Sequence, residues 1–60
     1  MLALVEKIYT TEQVATLLQI HPLTVLKYIK MGLLRAARLG RVYRVTESSI
    51  QNFMDQATNR

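Results

Sequence analysis

The chain has 60 residues, half of them hydrophobic, no cysteine and a formal net charge of +4. That length allows one domain, which buries only roughly 60% of the surface its unfolded form exposes, and the lack of cysteine excludes a disulfide framework, a thiolate metal site and thiol redox chemistry. The excess of positive charge points to a polyanion, with nucleic acid and an anionic membrane surface as the two candidates.

The N-terminal Met1-Leu-Ala-Leu-Val5 is apolar but has neither the preceding basic region nor the length of a secretory signal. Leu2, Leu4 and Val5 suit either an added strand or helix of the core or a patch that joins neighbouring protomers. The uncharged run Val14 to Leu26 is interrupted by Gln19, His21 and Pro22 and is too short to span a bilayer. A cytoplasmic location with no membrane partner is therefore expected.

Three helix starts share one device, an apolar residue before the cap that can meet another five positions later. In Tyr9-Thr10-Thr-Glu-Gln13-Val14, Thr10 caps, Gln13 reaches back as in a capping box and Tyr9 staples onto Val14. The first helix is thus predicted over residues 11–18, with Val14, Ala15, Leu17 and Leu18 on its apolar side. Pro22 suits the first position of the second, over residues 22–31, because its missing N–H has no partner there anyway, and Ile20 staples onto Val25. Only about three residues link the two helices, so they must cross sharply, as in a helix-turn-helix. Gln19 falls where such a turn prefers glycine, and His21 caps less well than serine, threonine or aspartate.

Around the second helix, steps of about 100° per residue put Val25, Tyr28 and Ile29 inside and Leu23, Lys27 and Lys30 outside, flanked by Thr24 and Leu26. Cations, a hydroxyl and apolar tips on one face match phosphates, base edges and thymine methyls. Two lysines alone would be an ordinary solvated face. Exposed Leu23 and Leu26 are a poor choice for plain solvent, and they suit a protein partner as well as DNA.

Gly32 ends that helix, Leu33 and Leu34 pack back onto it, and four of the eight basic residues then fall within Arg35 to Arg44, around Gly40. Gly40 and the β-formers Val42, Tyr43 and Val45 predict a hairpin over residues 35–45 with Arg41 at its tip. A three-residue loop, Leu39 to Arg41, is the preferred register: it puts Arg38, Val42 and Arg44 on one face and Ala37, Tyr43 and Val45 on the other. A two-residue loop instead pairs Arg38 with Tyr43 and makes Tyr43 a candidate phosphate contact. A solvated edge ribbon is the plainer reading of such a hairpin taken alone. Thr46 then caps a third helix, over residues 47–57, with Glu47 at its positive end, Val45 stapled onto Ile50, and Ile50, Phe53, Met54 and Ala57 as its apolar stripe.

The expected fold is mainly α with a small β-hairpin, a winged helix-turn-helix of three helices and a two-stranded wing forming one domain over residues 1–60. In Tyr-Thr-Thr-Glu-Gln-Val-Ala-Thr-Leu-Leu, in Thr24 to Leu34 and in Arg38-Leu-Gly-Arg-Val-Tyr-Arg-Val45 before an amphipathic helix, the chain resembles the small excisionase-like winged helix-turn-helix proteins. These are related to the DNA-binding heads of MerR-type regulators. The resemblance runs from Ile8 to Met54. It implies that the second helix enters the major groove of double-stranded DNA while the wing follows the backbone into a minor groove. On that footing Leu23, Thr24 and Lys27 face bases, and Lys30, Arg38, Arg41 and Arg44 grip phosphates. MerR-type heads usually carry arginine where Leu26 stands, so no contact is transferred to that position.

Family members act as recombination directionality factors, as small transcriptional regulators of mobile elements, or as heads of larger recombinases and regulators. An integrase, or neighbouring protomers on DNA, are the further partners this implies. The lack of a coiled coil after the wing favours cooperative binding along a repeated site over the assembly of a complete MerR-type regulator. No cofactor or metal is called for, and an enzyme is not expected. The four acids are scattered, no nucleophile and base are paired, and His21, the one histidine, lies at a helix cap. The competing reading is a protein-interaction module using Leu23, Leu26 and the N-terminal apolar residues.

Overall fold

The structure, a computed structural model, describes residues 6–58. In chain order it contains β1 (Ile8–Thr10), α1 (Thr11–Leu18), α2 (Pro22–Lys30), β2 (Ala37–Leu39), β3 (Val42–Thr46) and α3 (Glu47–Thr58). The strands form one antiparallel sheet in the order β1-β3-β2. The hairpin is therefore two strands of a three-stranded sheet, and β1 is the element that the sequence pattern did not reveal. The expected Leu2, Leu4 and Val5 element lies outside the described residues.

Thr10 both ends β1 and caps α1. Its hydroxyl accepts the Gln13 N–H at 3.0 Å while the Gln13 side chain accepts the Thr10 N–H at 2.9 Å, the reciprocal pair of a capping box. At the other end of α1, Gln19 takes the left-handed conformation, φ 57° and ψ 45°. There the Ile20 N–H reaches the Ala15 carbonyl at 2.9 Å and the Gln19 N–H reaches Thr16 at 3.2 Å, closing a Schellman motif. Gly32, at φ +81°, closes α2 by the same pair of bonds, from Leu33 to Tyr28 and from Gly32 to Ile29. The two helix ends thus use one geometry with two different residues.

Val14, Ala15, Val25, Leu34 and Val45 form the buried core, one contribution from each of α2, β3 and the post-α2 loop and two from α1. Tyr9, Ile20 and Ile50, the outer members of the three expected staples, pack against it. Tyr28 and Phe53 tie α2 to α3, their ring centroids 5.3 Å apart and their planes tilted by 37°. Leu17 departs from expectation at 55% exposed. It lies about 100° around α1 from the midpoint of Val14, Ala15 and Leu18, at the rim of the apolar face rather than in it. Leu33, Met54 and Ala57 are also exposed, because α3 covers the core with Ile50 and Phe53 alone.

The start of α3 is held twice. The Thr46 hydroxyl accepts the Ser49 N–H at 3.3 Å, and the Glu6 carboxylate accepts the Ser48 N–H at 2.9 Å. The Glu47 N–H completes the clasp on the Lys7 carbonyl at 3.0 Å. The Ser48 N–H, and after it the Ser48 side chain, hold the Glu6 carboxyl below its ordinary pKa of 4.5.

Candidate nucleic-acid interface

The outward face of α2 is set by its start. His21 is extended, at φ −72° and ψ 143°, and its Nδ1 accepts the Leu23 N–H at 3.0 Å, so the imidazole caps the helix despite its low ranking for that task. Pro22 follows at the first helical position. With the helix anchored in this way, Val25 is fully buried and the opposite side is turned to solvent. Leu23 is 68% exposed, Lys27 and Lys30 are exposed, and Thr24 and Leu26 are half-buried at the two margins.

The wing has the two-residue register. Ala37 pairs with Arg44, Arg38 with Tyr43 and Leu39 with Val42, leaving Gly40 and Arg41 as the turn. This overturns the preferred three-residue loop and its grouping of Arg38 with Val42 and Arg44. Gly40 has φ +66° whereas Arg41 is not left-handed, the φ pattern of a type II′ turn, whose twist matches the flanking strands. Val45 must face the core, so Tyr43 shares its side, and Arg38, directly opposite Tyr43, shares it too. The Arg38 Nε donates to the Gly40 carbonyl at 3.2 Å and braces the turn. Leu39 and Val42 become an apolar cross-strand pair on the outer face.

Between α2 and the wing lies an open cleft of about 650 Å³. Lys30 lines it from α2, and Arg38, Arg41, Tyr43 and Arg44 line it from the wing. Five of the eight site residues singled out in the sequence therefore meet in one place. Leu23, Thr24 and Lys27 do not line the cleft. They continue from it around the exposed side of α2, in the helical order Lys30, Leu23, Lys27, Thr24. The cleft sets four cations against one carboxylate, that of Glu12, and is strongly electropositive.

Leu26, Thr11 and Glu12 line the same cleft and were missed as site residues. Thr11 and Glu12 come there because Thr10 pairs with Arg44 across β1 and β3, which carries the first turn of α1 to the foot of the wing. Only the unrecognised strand would have revealed this. Arg44 is half-buried, its Nη1 donating to the Tyr43 carbonyl at 3.0 Å, and its strand position belongs to the outer face.

Two helices joined by a three-residue turn, with a third helix and a three-stranded sheet that carries a cationic β-hairpin, form a helix-turn-helix arrangement compatible with the winged class of nucleic-acid-binding domain. The chain belongs to the helix-turn-helix domain family of DNA-binding proteins, whose pattern matches residues 8–58. It is also similar to the uncharacterized protein YvgK of Bacillus subtilis (strain 168), at 47% identity over 45 residues. That match covers 75% of this chain and 15% of the relative, so the chain spans a small part of that protein's length. No solved structure matches the chain. Among the described residues, no helix is long and apolar enough to cross a membrane, and no group of histidines and carboxylates is placed to hold a metal ion.

Proposed function

We propose that this chain is a sequence-specific double-stranded DNA-binding domain that works by binding rather than catalysis. In this reading α2 enters the major groove and the wing follows the backbone into the adjacent minor groove. The observation that carries it is the cleft in which Lys30 of α2 is set against Arg38, Arg41 and Tyr43 of the wing. A hollow with cations on both walls fits a phosphate strand running between helix and wing. Leu23, Thr24 and Lys27 then meet base edges, while Lys30, Arg38, Arg41 and Arg44 and the Tyr43 hydroxyl hold backbone. Phosphate contacts fix position and base contacts choose sequence, so specificity resides mainly in Leu23, Thr24 and Lys27.

The biological role is that of an excisionase-like recombination directionality factor or a small transcriptional regulator of a mobile element, acting in the cytoplasm. The short match within a much longer relative supports a second use of the same unit, as the DNA-binding head of a larger protein. Mobility shifts on random duplexes and on duplexes selected for binding test the reading. Binding to both, tighter on the selected set, is expected, and no binding to any duplex at low salt contradicts it. A neighbouring integrase gene favours the excision role and its absence favours transcriptional control.

A further inference from the structure

The register that turns Arg38 and Tyr43 toward the cleft leaves Arg35 on the opposite side of the wing, and Arg44 reaches both sides. Arg44 pairs with Ala37, and continuing the same alternation places Arg35 on that outer side, across from Thr46. Both arginines line a second hollow, of about 370 Å³, with Thr46, Ser48, Ser49 and Asn52. Its lining holds two guanidinium groups, hydroxyls and an amide, and no carboxylate. Glu6 lies at its margin, tied to the Ser48 N–H, so attraction for an anion comes from the arginines and not from the helix end.

We propose that this outer hollow is a second phosphate site, which takes the DNA backbone on the side of the wing away from α2. The proposal rests on the duplex-binding reading above and extends it. A wing that merely leaned on one strand would need cations on one face. Here they stand in the cleft at Arg38, at the tip at Arg41 and on the outer face at Arg35, with Arg44 lining both sides. That distribution matches a narrow groove, whose two walls are both phosphate strands. Arg44 lines both hollows and sits where the two walls would be bridged. The recognised chemistry is a phosphodiester, supplied either by the same duplex beyond the base-reading site or by a second duplex, and the placement of the arginines beside the tip favours the same duplex.

The test compares the wild type with Arg35→Gln and with the Arg35→Gln, Arg44→Gln double variant on two duplexes carrying the selected site. One extends about ten base pairs past the wing, and the other is trimmed where the wing ends. On the long duplex the double variant should bind about tenfold more weakly at moderate salt, with a log–log salt slope shallower by about 1 to 2, roughly 0.9 for each phosphate released. On the trimmed duplex Arg35→Gln should bind like the wild type, while the double variant should keep only the loss that Arg44 causes in the cleft. Equal binding of the wild type and Arg35→Gln to the long duplex overturns the proposal, as does an equal loss by Arg35→Gln on both duplexes. A loss that appears only when a separate second duplex is added overturns the same-duplex placement. Because Arg44 also bonds the Tyr43 carbonyl, thermal melting accompanies each variant, and Arg35→Gln alone, at an exposed side chain, carries about half of the effect if the double variant is poorly folded. Wild-type binding to the trimmed duplex keeps the duplex-binding reading intact even if the second site fails. No wild-type binding to either duplex is the failure of that reading itself.

Discussion

Arg38 and Tyr43 stand directly opposite each other across the wing, on the face that looks toward Lys30 of α2. Their pairing follows from the turn: Gly40 at φ +66° closes a two-residue loop, and that loop length sets Arg38 on the face of Tyr43. With a three-residue loop Arg38 would move to the face of Val42 and Arg44, and Ala37 would take its place beside Tyr43.

In the proposed reading the wing arginines hold backbone, so Arg41→Ala and Arg38→Ala should weaken binding to all duplexes by a similar factor. Each should also make the salt slope shallower by about 0.9. Fluorescence anisotropy titrations on random and selected duplexes at several salt concentrations measure both quantities. A change confined to the selected sequence would give these arginines a base-reading role instead.

Thr24 and Lys27 lie on the exposed side of α2, outside the cleft. Thr24→Ala and Lys27→Ala should each shift the preference among binding sites by about 1 to 3 kcal/mol for a lost base contact, with binding to random DNA less affected. Selection of duplexes by each variant, followed by affinity measurement on the wild-type site, checks this.

The two Schellman ends make opposite predictions. Gln19 is a non-glycine residue in the left-handed region, so Gln19→Gly should stabilise the fold by about 1 kcal/mol, a rise of about 4–8 °C in melting temperature for a domain this small. Gly32→Ala should cost about the same. A Cβ built there meets nothing within 4 Å, so the cost is one of backbone conformation and not of crowding. Thermal unfolding followed by circular dichroism separates the two signs.

Glu6 ties the residues before β1 to the start of α3. Its pKa is lowered in the folded protein, so its contribution to stability is fully present above the ordinary value of 4.5 and is lost as the pH falls through the lowered one. Melting temperatures of the wild type and Glu6→Gln should therefore differ in favour of the wild type at neutral pH and converge in acid. A gap that stays constant with pH would show that the carboxylate charge plays no part.

Helix starts were legible because each depends on residues within five positions: the Thr10 and Gln13 box, Pro22 after His21, and Thr46 before Glu47. The cations of α2 and the tip position of Arg41 were legible for the same local reason. Strand β1 was not, since Ile8, Tyr9 and Thr10 become a strand only through pairing with residues 44–46, far along the chain. The wing register also escaped, because separating charged from apolar residues favours a three-residue loop, whereas the twist of a glycine-first turn favours two. From that register followed the placement of Arg38 beside Tyr43 in the cleft.

The salt dependence of binding to a selected duplex tests the central claim most directly. Contact with about five to seven phosphates by the α2 and wing cations predicts a log–log slope of about −4 to −6. A slope near zero, with binding that persists at high salt or is absent at low salt, would contradict a DNA-gripping cleft and return Leu23 and Leu26 to the service of a protein partner.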